Sequence, residues 1–330
     1  MRIKTEKKQA VVGIGSALVD ILIHGEDDFL EKAGVAKGGM TYVDNEFIDR
    51  LAQQTAGKAA TVPGGSACNT VIGIGKLGGA ARFVGKMGKD RLGIFFETDL
   101  KRHHVEPVLL TSDSPTGRVL SIITPDAQRS MLTYLGASSE LQPEEISDKY
   151  FEDAAIVHIE GYLLFNKDVL IAAVEAAKKA GCIVSLDLAS FTVVEAAKDF
   201  LETLVRDFVD IIIANEDEAR VFTGYDDESA AIESLSEMAE IAVLKVGKRG
   251  SFISSRGRTV RVEPKIYGRE AVDTTGAGDL WAAGFLFGLV RGFSLEKCGE
   301  IASACGYEVC QVVGAHIPEI GWQRIRKLLL

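Results

Sequence analysis

The sequence predicts an α/β fold, with a central, mainly parallel sheet, helices on both of its faces and a small β-sheet lid. Three observations carry this. Short β-rich runs alternate with helical patterns along most of the chain, and strand–helix–strand repetition builds parallel sheets. Several of the runs are continuously apolar, as strands buried on both faces are. Between roughly residues 107 and 134 the alternation stops, and short β-like runs follow one another with no helix between them.

Taken in order, strands are predicted at Ala10–Ile14, Ala81–Val84, Ala155–Ile159, Ile183–Asp187, Asp210–Ile213 and Ala242–Val246. Helices are predicted at Ser66–Lys76, Arg91–Arg102, Lys167–Ala180, Val193–Leu204 and Glu216–Thr223. Gly276–Val290 and Leu295–Val312 read as two late apolar helices. Gly276, Gly278, Gly284 and Gly288 lower the helix propensity of the first. They point to close packing, or to a helix start built for a ligand. The runs without helices are Pro107–Leu110, Arg118–Thr124 and Ser130–Tyr134, separated by turn chemistry at Ser112–Gly117 and Pro125–Gln128. With Ile21–Ile23 and roughly Gly38–Val43 they are expected to form a small antiparallel sheet, placed as a lid over a cleft. The expectation is therefore one α/β domain over residues 1–330, its discontinuous lid drawn from roughly 21–43 and 107–134.

Composition narrows the function classes. The formal net charge is −10 with no basic stripe, which argues against a nucleic-acid partner. No run reaches the roughly 18 apolar residues of a membrane helix, and the N-terminus lacks the apolar core and cleavage site of a signal peptide. Cys68, Cys182, Cys298, Cys305 and Cys310 form no CxxC pair, as expected of reduced thiols in a cytoplasmic protein. His103 and His104 adjoin. Neighbouring helix positions point apart, so the pair is expected at the surface rather than on a shared metal.

The strongest chemical signal is Asp273-Thr274-Thr275-Gly276-Ala277-Gly278-Asp279, between a β-like run and an apolar helix. Its glycines let backbone amides face an anion, and the helix dipole favours negative charge there. A carboxylate in that first turn, Asp279, can take a proton from an alcohol while the amides hold developing phosphoryl charge. Pro63-Gly64-Gly65-Ser66-Ala67-Cys68-Asn69-Thr70 opens another helix. Its glycines allow close backbone contact with a ligand and Asn69 offers both donors and an acceptor, or Ser66 simply caps the helix. Gly13-Ile14-Gly15 lacks the third glycine of a dinucleotide fingerprint, Leu18 standing in its place, and no phosphate-binding P-loop string occurs.

The Asp273–Asp279 string resembles the signature of the ribokinase (PfkB carbohydrate kinase) family, which includes ribokinase, fructokinases and adenosine kinases. The resemblance extends over nearly the whole chain and implies a ribokinase-like fold and an ATP-dependent kinase. It implies Asp279 as the base, with the amides of Gly276, Ala277 and Gly278 as an anion hole. Gly64, Gly65 and Asn69 would contact the acceptor, and Asp20, with Ser16 close before it, would grip its hydroxyls. Asn215-Glu216-Asp217-Glu218 matches the family's Asn-x-x-Glu motif, so Asn215 and Glu218 would organise Mg²⁺, largely through water. Lys245-Val246-Gly247-Lys248-Arg249-Gly250 resembles the nucleotide loop, with Gly247 and Gly250 near ATP and Lys248 as a charge partner; a hairpin turn into Ser251–Ser255 is compatible with that. Thr275 joins this phosphate-binding set. Arg129 matches a lid arginine that reaches the phosphates. Some members bind K⁺ around the positions of Asp273, Thr275 and the loop near Gly314.

Several features look like the adenosine kinase branch: Asp28–Gly34, the length of 330 residues, and Ser185–Phe191. The expected acceptor is then the primary hydroxyl of a nucleoside, adenosine before others. Tyr134, Leu135, Tyr162, Leu163 and Phe165 are candidates for an adenine slot. Ser16-Ala17 stands where adenosine kinases commonly have Asn-Pro, which leaves a sugar kinase for ribose, fructose or 2-keto-3-deoxygluconate as the alternative, and a silent binding protein behind both. Monomer and homodimer are both compatible with the resemblance.

Overall fold

Runs of Val, Ile and Leu too continuous for a half-solvated strand form the middle of the molecule. The computed structural model describes the chain except for residues 1–7, 36, 38, 39, 55–59, 125–128, 266, 267, 269 and 330. Its strands are, in chain order, β1 Ala10–Ile14, β2 Leu18–His24, β3 Met40–Tyr42, β4 Ala60–Gly64, β5 Ala81–Gly88, β6 Val105–Ser112 and β7 Gly117–Ile123. They continue with β8 Arg129–Tyr134, β9 Ala154–Glu160, β10 Ile183–Asp187, β11 Ile211–Asn215, β12 Ile241–Lys245, β13 Ser251–Ser255 and β14 Arg258–Val262. Nine of them make one sheet in the order β14-β13-β12-β11-β10-β9-β1-β5-β6. From β12 to β6 all neighbours are parallel, and β13 and β14 add an antiparallel edge.

Each face of this sheet buries its own apolar layer. On one side Val11, Phe83, Ile156, Ile213 and Val243 pack against helices Ser66–Lys76, Ala277–Val290 and Leu295–Val309. On the other side Val12, Ile14, Val157, Val184 and Ile212 meet helices Lys167–Lys179, Phe191–Phe208 and Glu228–Met238. Alternate residues of one strand thus serve opposite layers. The glycines of the Ala277–Val290 helix are explained by contact: a side chain on Gly284 would meet the Ala302 backbone, and one on Gly288 would meet Cys298.

The five remaining strands form the lid sheet, in the order β3-β8-β7-β2-β4. Ile23, Leu120, Ile122 and Leu132 turn away from the cleft and bury with Leu30 and Ile48 of helices Asp27–Ala33 and Asn45–Gln54. Three expectations need correction here. Pro107–Leu110 is not in the lid: β6 pairs in parallel with β5 at the edge of the large sheet. An edge strand tolerates a proline, which has no amide to donate. The lid sheet is mixed rather than antiparallel, because β2 runs parallel to β7 and β3 to β8. It also contains β4, Ala60–Gly64, which the sequence pattern does not predict as a strand. Of the Gly38–Val43 run, Gly38 and Gly39 lie outside the described residues and Met40–Tyr42 is strand.

His103 is a further correction. It is 3 % exposed, not at the surface, and its ring contacts the Asp99 carboxylate at 2.8 Å and the His316 ring at 4.9 Å between centroids.

From β1 the chain moves first to β5 and β6, then returns to β9 on the other side of β1 and continues to β12. The carboxyl ends of β1 and β9 therefore flank a topological switch point, where open α/β sheets leave a crevice.

Candidate active site

The crevice is a cavity of about 880 Å³. Its floor is the carboxyl ends of the central strands, one wall is the start of the Ala277–Val290 helix, and its roof is the inner face of the lid sheet.

Asp279 stands in that helix's first turn and lines the cavity. One carboxylate oxygen accepts from Ser66 Oγ at 2.7 Å and the other from Asn69 Nδ2 at 2.9 Å. Thr70 Oγ1 donates to the Asp279 carbonyl at 3.1 Å. Helix Ser66–Lys76 thus holds the carboxylate from across the fold. Ser66 is not that helix's N-cap, since Gly65 occupies the position. Desolvation raises the Asp279 carboxyl from 3.8 to about 6, although the Asn69 and Ser66 bonds pull the other way. A carboxyl with that value is mostly ionised at neutral pH and could still take up a proton readily.

Gly276 caps the helix at φ 71° with a left-handed backbone, and a Cβ there would meet Ala315 at 2.5 Å. The loop before it is braced by Asp273, whose carboxylate accepts from the Thr275 amide and hydroxyl at 2.9 and 2.7 Å and from the Gly314 amide at 2.8 Å. Gly276, Ala277, Gly278 and Thr275 all line the cavity, so the string expected to form an anion hole folds into one corner of it.

Gly65 needs its φ of 96°, and a Cβ there would lie 2.4 Å from the Ser16 carbonyl oxygen. That approach joins the second glycine motif to the end of β1. Gly64 lies against the Asp20 carboxylate, where an added Cβ would come within 2.4 Å. Ser16, Asp20, Gly65, Asn69 and Tyr162 line the cavity, and Gly64 stands behind Asp20.

Asn215 and Glu218 line the cavity as well. They form a reciprocal cap of helix Glu216–Thr223: Asn215 N donates to Glu218 at 2.8 Å, and Glu218 N donates to Asn215 Oδ1 at 2.9 Å. Burial raises the Glu218 carboxyl, with the Lys245 charge opposing. Both residues offer the hard oxygens that suit Mg²⁺. Gly247, Lys248 and Gly250 form the predicted hairpin turn from β12 into β13 and are not among the residues lining this cavity. Arg129 opens β8, opposite Ile123; its side chain lies outside the described residues.

Three further polar groups at the site, Glu160, Lys245 and Asp187, were not expected as site residues, although Lys245 and Asp187 lie within the Lys245–Gly250 and Ser185–Phe191 strings. Glu160, at the end of β9 and 1 % exposed, accepts from Ser16 N at 2.8 Å and Ala67 N at 3.1 Å, tying the switch point to the glycine motif. Burial raises its carboxyl to about 7. Lys245, at the end of β12, pairs with Asp187, at the end of β10, at 2.8 Å. All three line the cavity. Of the adenine-slot candidates, Leu135, Tyr162, Leu163 and Phe165 line it, while Tyr134 packs into the lid's own core. Sequence reading missed Met40, Tyr42, Val119 and Met131, whose cavity-facing positions follow only from the lid's strand alternation.

Among the described residues no helix is long and apolar enough to cross a membrane. The model of the pfkB family carbohydrate kinases matches residues 40–320. A ribokinase of Arabidopsis thaliana is 29% identical over 289 residues, covering 83% of this chain and 74% of its own. The crystal structure of an adenosine kinase from Sinorhizobium meliloti superposes with a TM-score of 0.89 at 34% identity, covering 98% of this chain and 100% of that one. A probable sugar kinase from Rhizobium etli reaches the same TM-score of 0.89 at 33% identity, covering 98% and 99%. With its sheet order, its helix-capping glycine and its buried carboxylate, the chain belongs to the pfkB family of carbohydrate kinases and is a phosphotransferase of the sugar and nucleoside type.

Proposed function

We propose that this kinase phosphorylates the primary hydroxyl of a nucleoside, with adenosine giving AMP. The lid half of the cavity carries this reading. Tyr42 and Phe165 meet edge to face at 6.4 Å between centroids, yet remain 48% and 57% exposed. Met40, Met131, Leu135 and Leu163 line the same cavity. A free sugar would leave this apolar half uncovered, whereas a purine would bury it. The likeness to the adenosine kinase from S. meliloti supports the same choice. A sugar as acceptor remains the second reading, favoured by Ser16-Ala17 and by the ribokinase relative.

Asp20 and Asn69 would hold the ribose, and Asp279 would take the proton of the attacking hydroxyl. Amides at Gly276–Gly278, with Thr275, would bind the phosphoryl group at the helix start. Gly247, Lys248 and Gly250 would border the nucleotide from the β12–β13 turn, and Arg129 would reach the phosphates from β8. Bound Mg²⁺ neutralises phosphate charge in such transfers, and Glu218 and Asn215 would hold its waters. K⁺ would sit by Asp273 and the Gly314 loop.

ADP release from Mg·ATP is the test, with adenosine, inosine, guanosine, ribose, fructose and 2-keto-3-deoxygluconate as acceptors in K⁺ buffer. Turnover of adenosine that outpaces every sugar is expected. Preference for a sugar would discard the nucleoside reading and keep the transfer chemistry.

A further inference from the structure

Asp20, Glu160, Asp187, Glu218, Asp273 and Asp279 bring six carboxylates to the cavity wall, and among its described lining residues Lys245 is the one cation. A polyphosphate entering this cavity meets mostly like charge. Lys245 is in the right place to answer it. Its side chain is 14% exposed, held by Asp187 at 2.8 Å. A Cβ on Gly278 would lie 3.0 Å from its Nζ, so the ammonium rests against the helix turn that carries the anion-hole amides. Asp187, Glu218 and Asp279 face it, and their charge outweighs desolvation and keeps it protonated.

We propose that Lys245 is a further catalytic residue of the transfer step, its ammonium binding the γ-phosphoryl group beside the amides of Gly276–Gly278, with Asp187 as the residue that positions it. This rests on the kinase reading. In the step, the acceptor oxygen forms a bond to the γ-phosphorus while its proton passes to Asp279. The bond from that phosphorus to the bridging oxygen breaks, and its electron pair leaves with ADP. Lys245 gives up no proton. It stays charged and meets negative charge that moves onto the equatorial and bridging oxygens.

The competing role is that of a counter-ion for Asp187 alone, and two variants separate the roles. Lys245→Met leaves a buried carboxylate unpaired and is expected to melt well below wild type. Adding Asp187→Asn removes that charge and is expected to restore the melting temperature. If Lys245 serves the phosphoryl group, kcat of this double variant stays about 10²- to 10³-fold down. Its affinity for ATP, measured by calorimetry against ADP, also loses the wild-type preference for the extra phosphate. A double variant with restored melting, kcat within threefold of wild type and an intact ATP-over-ADP preference would overturn the assignment. The calorimetric comparison needs no acceptor, so it separates this inference from the choice of substrate. A wild-type chain that binds no Mg·ATP would sink the kinase reading itself.

Discussion

Replacing Asp279 with Asn is expected to slow turnover strongly and stabilise the fold, and both effects follow from one carboxylate. In the folded chain its value is about 6 against an ordinary 3.8. At roughly 1.4 kcal/mol per tenfold, that gap means the ionised group costs the fold about 3 kcal/mol. The sign runs one way. A carboxyl raised by folding binds its proton more tightly in the native state, so its penalty is complete above pH 6, shrinks as pH falls, and vanishes below about 4. An Asn keeps both partners: its oxygen accepts from Asn69 and its amide can donate to Ser66 Oγ. Thermal melting of Asp279→Asn at pH 8 should therefore rise by roughly 3–6 °C, with about half that gain at pH 5. In the same preparation kcat should fall by about 10²- to 10⁴-fold for loss of a general base. A variant that melts lower at pH 8, or gains equally at both pH values, would show that the carboxylate is not held above its ordinary range.

Two further outcomes are expected. Because the base must be ionised, kcat/KM should fall with slope one below about pH 6 and reach about a tenth of its plateau at pH 5; a flat profile down to pH 5 would remove Asp279 from that role. Gly65→Ala should lower stability by about 1–3 kcal/mol and raise the acceptor KM, because φ 96° and the Ser16 carbonyl at 2.4 Å admit no Cβ; unchanged melting would mean the β1 end yields freely.

What the sequence made legible is what is local. Gly276 and Gly65 both take positive φ, a property of the local backbone, so Asp273–Asp279 and Pro63–Thr70 announced themselves, while the crowding against Ala315 and Ser16 is long-range. The Asn215–Glu218 pair was equally readable, because its motif spans four residues and the structure makes it a capping box. Glu160 was not, since its partners Ser16 and Ala67 lie 144 and 93 residues away. Lys245 was read as part of a loop because Asp187, 58 residues earlier, comes beside it only when β10, β11 and β12 stack in order. Pro107–Leu110 failed for a different reason. An edge strand has one hydrogen-bonded neighbour, so its pattern does not say which sheet supplies it. His103 was misplaced because adjacent-residue geometry says nothing about the packing of Asp99 and His316 around a helix end.

These long-range groups explain why the site has the charge it has. Glu160 and Asp279 are both held above the ordinary carboxylate range by burial, and Glu218 is raised for the same reason. The fold accepts that penalty at one place, the cavity at the carboxyl ends of the central strands. Each carboxylate there has a fixed donor: backbone amides for Glu160, Asn215 for Glu218, Ser66 and Asn69 for Asp279. Orientation is thus settled before any ligand arrives, which is what positions a proton acceptor without reorganisation at the moment of transfer. What the carboxylates cannot supply is attraction for a polyphosphate. In the proposed binding mode, amides at a helix start would supply part of it, and Lys245, held beside Gly278 by Asp187, would add to it. On that proposal the acid wall would select against a bare polyanion and favour one that brings its own cation.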